Sequence, residues 1–347
     1  MREALLYEKR PRAFVRCGTC QWRCSIAPGR TGFCGMYRNL DGKLFSLGYA
    51  RVSSMAADPV EKKPLFHFYP GTLCFSLGGW GCNFRCPGCQ NWQISAARDE
   101  ESWRGSRQVE PAAAVALAQQ YGCRGISWTY NEPSVWFEYT LEGARIAREQ
   151  GLYTVYVTNG YLSPEALDTI GPYLDAWRVD VKGFSDEVYR RLCGVVHWRG
   201  ILEVAVRARR RWGMHVEVVT NITPTVNDDD EQIRAIASWI RDSLGELTPW
   251  HVTRFYPQYR MQDLPVTPVE TLERAWKIGR EVGLKFVYLG NVPGHHSEST
   301  LCYSCGRLVV ARSGYQADVV GLDGSRCAHC GAELNFRPAT EGGGDDA

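Results

Sequence analysis

Three cysteines in an eight-residue loop, Cys82-Asn-Phe-Arg-Cys86-Pro-Gly-Cys89, constrain this chain more than any other feature. The loop follows a strand-like run, Leu73-Cys-Phe-Ser-Leu77, and a glycine-rich turn, Gly78-Gly-Trp-Gly81. Thiolates are soft ligands that suit iron–sulfur clusters and zinc. A [4Fe–4S] cube normally takes four cysteines. Three at C-x3-C-x2-C spacing, with no fourth nearby in sequence, leave one iron open to a substrate or cofactor. The residues alone also allow a three-cysteine zinc site or a structural loop.

Cysteine usage extends the argument. Of fourteen cysteines, eleven fall into three groups: Cys17/Cys20/Cys24/Cys34, Cys82/Cys86/Cys89 and Cys302/Cys305/Cys327/Cys330. Clusters of this kind in a reducing compartment mean metal rather than disulfides. The first group, C-x2-C-x3-C-x9-C, can enclose zinc or hold a second cluster, and spacing does not separate the two. The last group, two Cys-x2-Cys knuckles each followed by glycine, reads as a zinc ribbon, with an auxiliary cluster as the alternative. Cys74, Cys123 and Cys193 read as small buried apolar residues.

From Leu73 the chain alternates short apolar runs with helical patterns. Strands are expected at 73–77, 125–130, 152–158, 175–181, 214–221, 250–256 and 284–289. Helices are expected at 111–121, 135–150, 163–174, 185–211 (broken near Gly194), 227–244 and 267–282, the last opened by a Thr267-x2-Glu270 capping box. Such alternation implies parallel strands with helical crossovers. Six or seven units fall short of the eight of a closed barrel. The expected fold is therefore α/β: a partial, open β/α barrel at 71–296. A cysteine-rich segment and linker (1–70) precede it. A zinc-ribbon-like segment (297–337) and a disordered tail (338–347) follow.

Ligands of parallel α/β folds bind at the C-terminal ends of the strands. Polar residues mark those ends here: Glu132 in Tyr130-Asn-Glu-Pro133, Asn159 in Thr158-Asn-Gly160, Asp180 and Lys182 in Asp180-Val-Lys182, and Thr220 in Thr220-Asn221. Asp180 and Lys182 are two apart and share a strand face. His215 and Glu217 share a face as well, and one or both can be internal. Asp228-Asp-Asp-Glu231 reads as an acidic helix start. Arg254 suits a carboxylate or phosphate, or a surface ion pair. His295 and His296, adjacent on an extended chain, would point apart.

The C-x3-C-x2-C loop after a first strand resembles the hallmark of the radical S-adenosylmethionine (radical SAM) enzymes. The Gly32-x-Cys34-Gly35 start, Cys89-Gln-Asn-Trp92, Tyr130-Asn-Glu-Pro133, Asp180-Val-Lys182, Asn291-Val-Pro-Gly294 and the C-terminal Cys-x2-Cys pair are similar to the radical SAM family of the AmmeMemoRadiSam system. That family is related to the activating enzymes of pyruvate formate-lyase. The resemblance implies that Cys82, Cys86 and Cys89 hold a [4Fe–4S] cluster. It further implies that Glu132, Asn159, Asp180, Lys182 and Thr220 line the SAM pocket. Reductive cleavage of SAM then yields a 5′-deoxyadenosyl radical that abstracts hydrogen. Trp80, Phe84 and Trp92 are expected to shield the cluster. Tyr130 and Asn131 stand where the family usually has two glycines, and Cys20-Gln-Trp-Arg-Cys24 departs from the usual Cys-Pro-His-x-Cys. A flavodoxin- or ferredoxin-type reductant and association with Memo-like and AMMECR-like proteins are also implied. A protein substrate is favoured, with RNA or a small molecule as alternatives.

A non-catalytic, zinc-bearing interaction module stays open as a separate class. The formal net charge of +2 gives no electrostatic case for nucleic acid or an anionic membrane. No apolar run is long enough to span a bilayer, and the first residues lack a signal core, so a cytoplasmic location is expected.

Overall fold

The computed structural model describes residues 1–338; the expected tail beyond that point lies outside the described residues. An eight-stranded sheet forms the centre: β1 (Ser54–Pro59), β2 (Leu73–Gly78), β3 (Gly125–Trp128), β4 (Tyr153–Thr158), β5 (Ala176–Asp180), β6 (His215–Ile222), β7 (Trp250–Arg254) and β8 (Val287–Gly290). The strands lie side by side in chain order. β2 to β8 are parallel, and β1 pairs antiparallel with β2 from Ser54↔Gly78 to Pro59↔Leu73. The sheet does not close, since β1 and β8 are its edges. This is the open α/β architecture that the strand–helix alternation predicts.

β1 was not expected. Its sequence, Ser-Met-Ala-Ala-Asp-Pro, carries no apolar alternation and ends in proline. An edge strand tolerates both. Asp58 on β1 accepts hydrogen bonds from Ser76 (2.9 Å) and the Tyr130 hydroxyl (2.9 Å), and pairs with Lys62 (2.7 Å). Tertiary contacts, not periodicity, hold this strand.

The crossover helices are α1 (Pro111–Gln120), α2 (Phe137–Glu149), α3 (Pro164–Ile170), α4 (Asp186–Cys193), α5 (Arg199–Trp212), α6 (Asp230–Trp239) and α7 (Val269–Val282). Gly194, at φ +71°, ends α4 in the left-handed conformation and makes the expected break. Asp229 caps α6 by accepting from the Gln232 N–H at 2.9 Å, so the acidic run is a helix start. The Thr267 capping box does not form. The Thr267 hydroxyl donates to the Ile222 carbonyl (2.6 Å) and accepts from the Phe255 N–H (3.0 Å), fastening β6 to the loop after β7.

Residues 1–52 build two small antiparallel sheets with a core of Val15, Ile26, Met36, Tyr37, Leu44 and Leu47, which continues into Trp103 and Val135 of the central unit. Buried Glu138 of α2 fixes this segment by accepting from the Leu5 N–H (3.1 Å) and the Tyr37 hydroxyl (2.8 Å). The C-terminal strands pack Val309, Val310, Leu334 and Phe336 against Phe286 and Tyr288. Beneath the sheet, fully buried Glu217 accepts from the Phe66 and His67 N–H groups (3.0 and 2.8 Å) and meets His215 (3.0 Å) and His251 (2.6 Å). The Phe66–Tyr69 stretch thus packs on the central unit. Glu217 and His215 are both internal.

Candidate active site

The parallel strands present their C-terminal ends on one side, and the Cys82–Cys89 loop leaves β2 there. Asn131 shapes its approach. The Asn131 amide accepts from the Gly79 N–H (3.1 Å) and donates to the Gly81 carbonyl (2.8 Å). Tyr130 takes φ +70°, a left-handed conformation that glycine adopts without strain and tyrosine does not. Its hydroxyl bond to Asp58 holds it there. Both residues therefore have structural work: Asn131 clamps the glycine stretch, and Tyr130 keeps a left-handed turn.

Glu132 is buried, and its carboxylate is saturated from within. It accepts from the Ser134 N–H (3.0 Å), the Asn159 N–H (2.8 Å) and the Thr158 hydroxyl (2.9 Å to both oxygens). Burial pushes its carboxyl up, against these bonds. It fixes the end of β4 and so aims Asn159. The Asn159 amide donates to the Asn83 side chain at 2.7 Å and lies 3.9 Å from the Cys82 sulfur. Thr220 is also satisfied internally: it donates to the Val181 carbonyl (2.8 Å) and accepts from the Trp250 indole (2.9 Å).

On β5, Lys182 pairs with Asp180 at 3.0 Å, and Arg178 bonds the other oxygen of the same carboxylate. Burial raises the Asp180 carboxyl, but the charges of Arg178 and Lys182 outweigh it and hold the group below its ordinary value. Burial lowers Lys182; Asp180 and the thiols of Cys86 and Cys193 more than reverse this and raise it. Lys182 thus acts on the cysteine loop as well as on Asp180. Cys193 is buried as expected, but its thiol also reaches Cys86. That contact, with Lys182, overcomes burial and brings Cys86 down to about 7. Sequence reading missed the contact because it joins a helix end to a loop 107 positions earlier.

Cys82 accepts from the Phe84 N–H at 3.4 Å; burial pushes its thiol well up, with Cys86 and Glu132 adding to the effect. Among the described residues, the Cys302/Cys305/Cys327/Cys330 sulfurs form the one set of three or more ligand atoms lying within 4.8 Å of one another. The central trio is more widely spread. One ion bonded at about 2.3 Å holds its thiolates no more than about 4.6 Å apart. A cube places each thiolate on a different iron, so the donor chemistry and the spread both fit a [4Fe–4S] group. Phe84 is buried; Trp92 is partly exposed and stacks on Tyr259 (4.9 Å between centroids), and Tyr256 is also partly exposed.

Cys17, Cys20, Cys24 and Cys34 line a cleft shared with Ser134 and Val135, two and three residues after Glu132. The C-terminal knuckles bring Cys302 and Cys330 to 3.6 Å, and Cys305 and Cys327 to 3.7 Å. Gly306 and Gly331, both at φ +73°, turn the chain after each knuckle. His295 and His296 do not point apart. The chain bends into a short helical turn there, and their rings lie 4.1 Å apart. The Arg254 side chain donates to the Thr267 carbonyl (2.7 Å).

The sequence profile of the radical SAM superfamily matches residues 79–240, which span this loop and the strand ends β3 to β6. The chain belongs to the radical SAM superfamily, whose members are enzymes of radical reactions that use a [4Fe–4S] cluster and SAM. An uncharacterized protein of Methanocaldococcus jannaschii is 43% identical over 338 residues, covering 97% of this chain and 99% of that protein. The pyruvate formate-lyase 1-activating enzyme of Escherichia coli K12 is 22% identical over 226 residues, covering 60% of this chain and 89% of that enzyme. A solved radical SAM methyltransferase from Sphaerobacter thermophilus aligns with a TM-score of 0.49 at 18% identity, over 70% of this chain and 71% of that one. No helix of the described residues is long and apolar enough to cross a membrane.

Proposed function

We propose that this chain cleaves SAM reductively and directs the resulting radical at a protein or peptide, as an activating enzyme does. The observation that carries the reading is the Cys82/Cys86/Cys89 loop, spread beyond the reach of one ion and set against the ends of β4 and β5. When bound, a cluster with one open iron supplies the electron that breaks SAM's sulfonium bond and leaves a 5′-deoxyadenosyl radical. The chain's own groups do the rest. Cys82, Cys86 and Cys89 would hold the cluster. Asn159 stands beside Cys82, where its amide can meet the polar end of a SAM molecule. Lys182, kept charged by Asp180, sets a positive charge near Cys86. Glu132 and Thr220 hold the strand ends that present these groups. Buried Phe84 keeps water from the loop, and an alkyl radical needs such exclusion.

The exposed rings of Trp92 and Tyr256, with Tyr259 stacked on Trp92, beside an unclosed sheet, favour a polypeptide over a small metabolite. Relatives named as activating enzymes, of pyruvate formate-lyase and of isethionate sulfite-lyase, support the same class. A flavodoxin- or ferredoxin-type donor and Memo-like and AMMECR-like proteins are the proposed partners. For the C-terminal set we propose zinc. A tetrahedral Zn–S4 site has sulfur edges of about 3.8 Å, close to the 3.6 and 3.7 Å separations present. Eleven cysteines grouped at metal-ligand spacings favour a reducing, cytoplasmic location.

The test is anaerobic. Reduced protein given SAM should release 5′-deoxyadenosine, and deuterium from a labelled partner peptide should appear in that product. Failure to release it from iron-replete protein would remove the reading.

A further inference from the structure

The N-terminal cysteines pose a question that their spacing leaves open. No three of the sulfurs of Cys17, Cys20, Cys24 and Cys34 lie within 4.8 Å of one another, whereas the C-terminal four do so in the same chain. A single ion with bonds of about 2.3 Å needs separations below about 4.6 Å. The N-terminal four nevertheless face one common cleft. Two of them accept backbone bonds as Cys82 does: the Phe33 N–H reaches the Cys24 sulfur (3.4 Å) and the Met36 N–H the Cys34 sulfur (3.5 Å). Such N–H···S bonds stabilise thiolates that carry cluster charge.

The surroundings match that charge. Arg85, from within the central loop, donates to the Phe33 carbonyl, stacks on the Phe33 ring at 3.8 Å, and lies within electrostatic range of Cys82 on one side and Cys24 and Cys34 on the other. Arg98 donates to the Phe84 carbonyl (3.0 Å) inside the central loop and packs against Gly35, next to Cys34. Two guanidinium groups therefore stand between the two cysteine sets. They are not needed beside a neutral core of thiols, and they suit two anionic groups. The Trp22 indole donates to the Asn83 carbonyl at 2.7 Å and joins the sets directly.

We propose that Cys17, Cys20, Cys24 and Cys34 bind a second, fully ligated iron–sulfur cluster, beside the central loop. With a thiolate for every ligand position it has no open iron, so it stores charge rather than binding substrate. This assignment does not depend on the reaction proposed above.

Metal and sulfide analysis of a Cys82→Ala/Cys86→Ala/Cys89→Ala variant, purified anaerobically, tests it. The variant should keep at least about two irons with matching acid-labile sulfide, and about one zinc. Adding Cys20→Ala and Cys24→Ala should remove that iron and leave the zinc. Two zincs without iron in the triple variant would overturn the assignment, as would no metal beyond the C-terminal ion. Mössbauer counting on unaltered, iron-replete protein gives an independent answer. More than about four irons per chain supports the second cluster, and about four irons with two zincs refutes it.

Discussion

The C-terminal knuckles and the two inner cysteine sets use the same ligand in opposite ways. Cys302 to Cys330 close on themselves. Each knuckle is a tight local turn, with Gly306 donating to the Cys302 carbonyl (2.9 Å) and Gly331 to the Cys327 carbonyl (2.8 Å), and Cys305 and Cys330 are exposed. The inner sets lie open and are held by residues far away in sequence: Asn131 on Gly79 and Gly81, Asn159 beside Cys82, Trp22 on Asn83, Arg85 on Phe33. Local closure to about 3.7 Å makes a cage for one ion. Spread thiols held by a surrounding scaffold make a socket for something larger.

The largest effect that could break this contrast is chemical. Replacing Cys82, Cys86 and Cys89 by alanine should lower 5′-deoxyadenosine release by more than about 1,000-fold, without loss of zinc; substantial residual cleavage would deny the socket its role. Next, Cys305→Ser with Cys330→Ser should release the C-terminal ion and cost about 3 kcal/mol or more in denaturant unfolding. Iron content should not change. Parallel loss of iron would mean that the two kinds of site are not independent.

A third effect concerns the buried network under the sheet, which joins the Phe66–Tyr69 stretch to the C-terminal segment. Burial holds His67 and His251 below the usual histidine range. As pH falls through about 6.5 the unfolded chain takes up protons that the folded chain refuses, so stability drops. Glu217 is held low by its two histidine partners in spite of burial. Its contribution is present above about pH 4.5 and is lost below that, in the same direction. Stability should fall between pH 7.5 and 5.5, and a flat profile in denaturant titrations would contradict histidines held neutral by burial. A smaller change, Asn131→Ala, should cost about 1–3 kcal/mol and lower iron occupancy with zinc retained. The smallest, Tyr130→Phe, removes one hydroxyl bond and should cost about 1 kcal/mol by thermal unfolding.

The seven parallel strands could be read from sequence because strands covered on both faces are short continuous apolar runs. Asp229 and Gly194 were readable because caps act within a few residues. β1 was not, because an edge strand carrying Asp58 is defined by its partners. Thr267 misled because a hydroxyl suited to a cap found two backbone partners across the fold. In the site, the cysteine loop announces itself locally. The contact of Cys193 with Cys86, the saturation of Glu132 and the placing of Arg85 between two cysteine sets are long-range facts that no window of sequence contains.

Asn131 carries a last implication. The bend that feeds Cys82 is set by an amide fifty positions downstream, not by the glycines alone. Grafting residues 79–89 elsewhere without Asn131 would move the cysteines without the hand that shapes their approach. Loop and clamp therefore work as one unit.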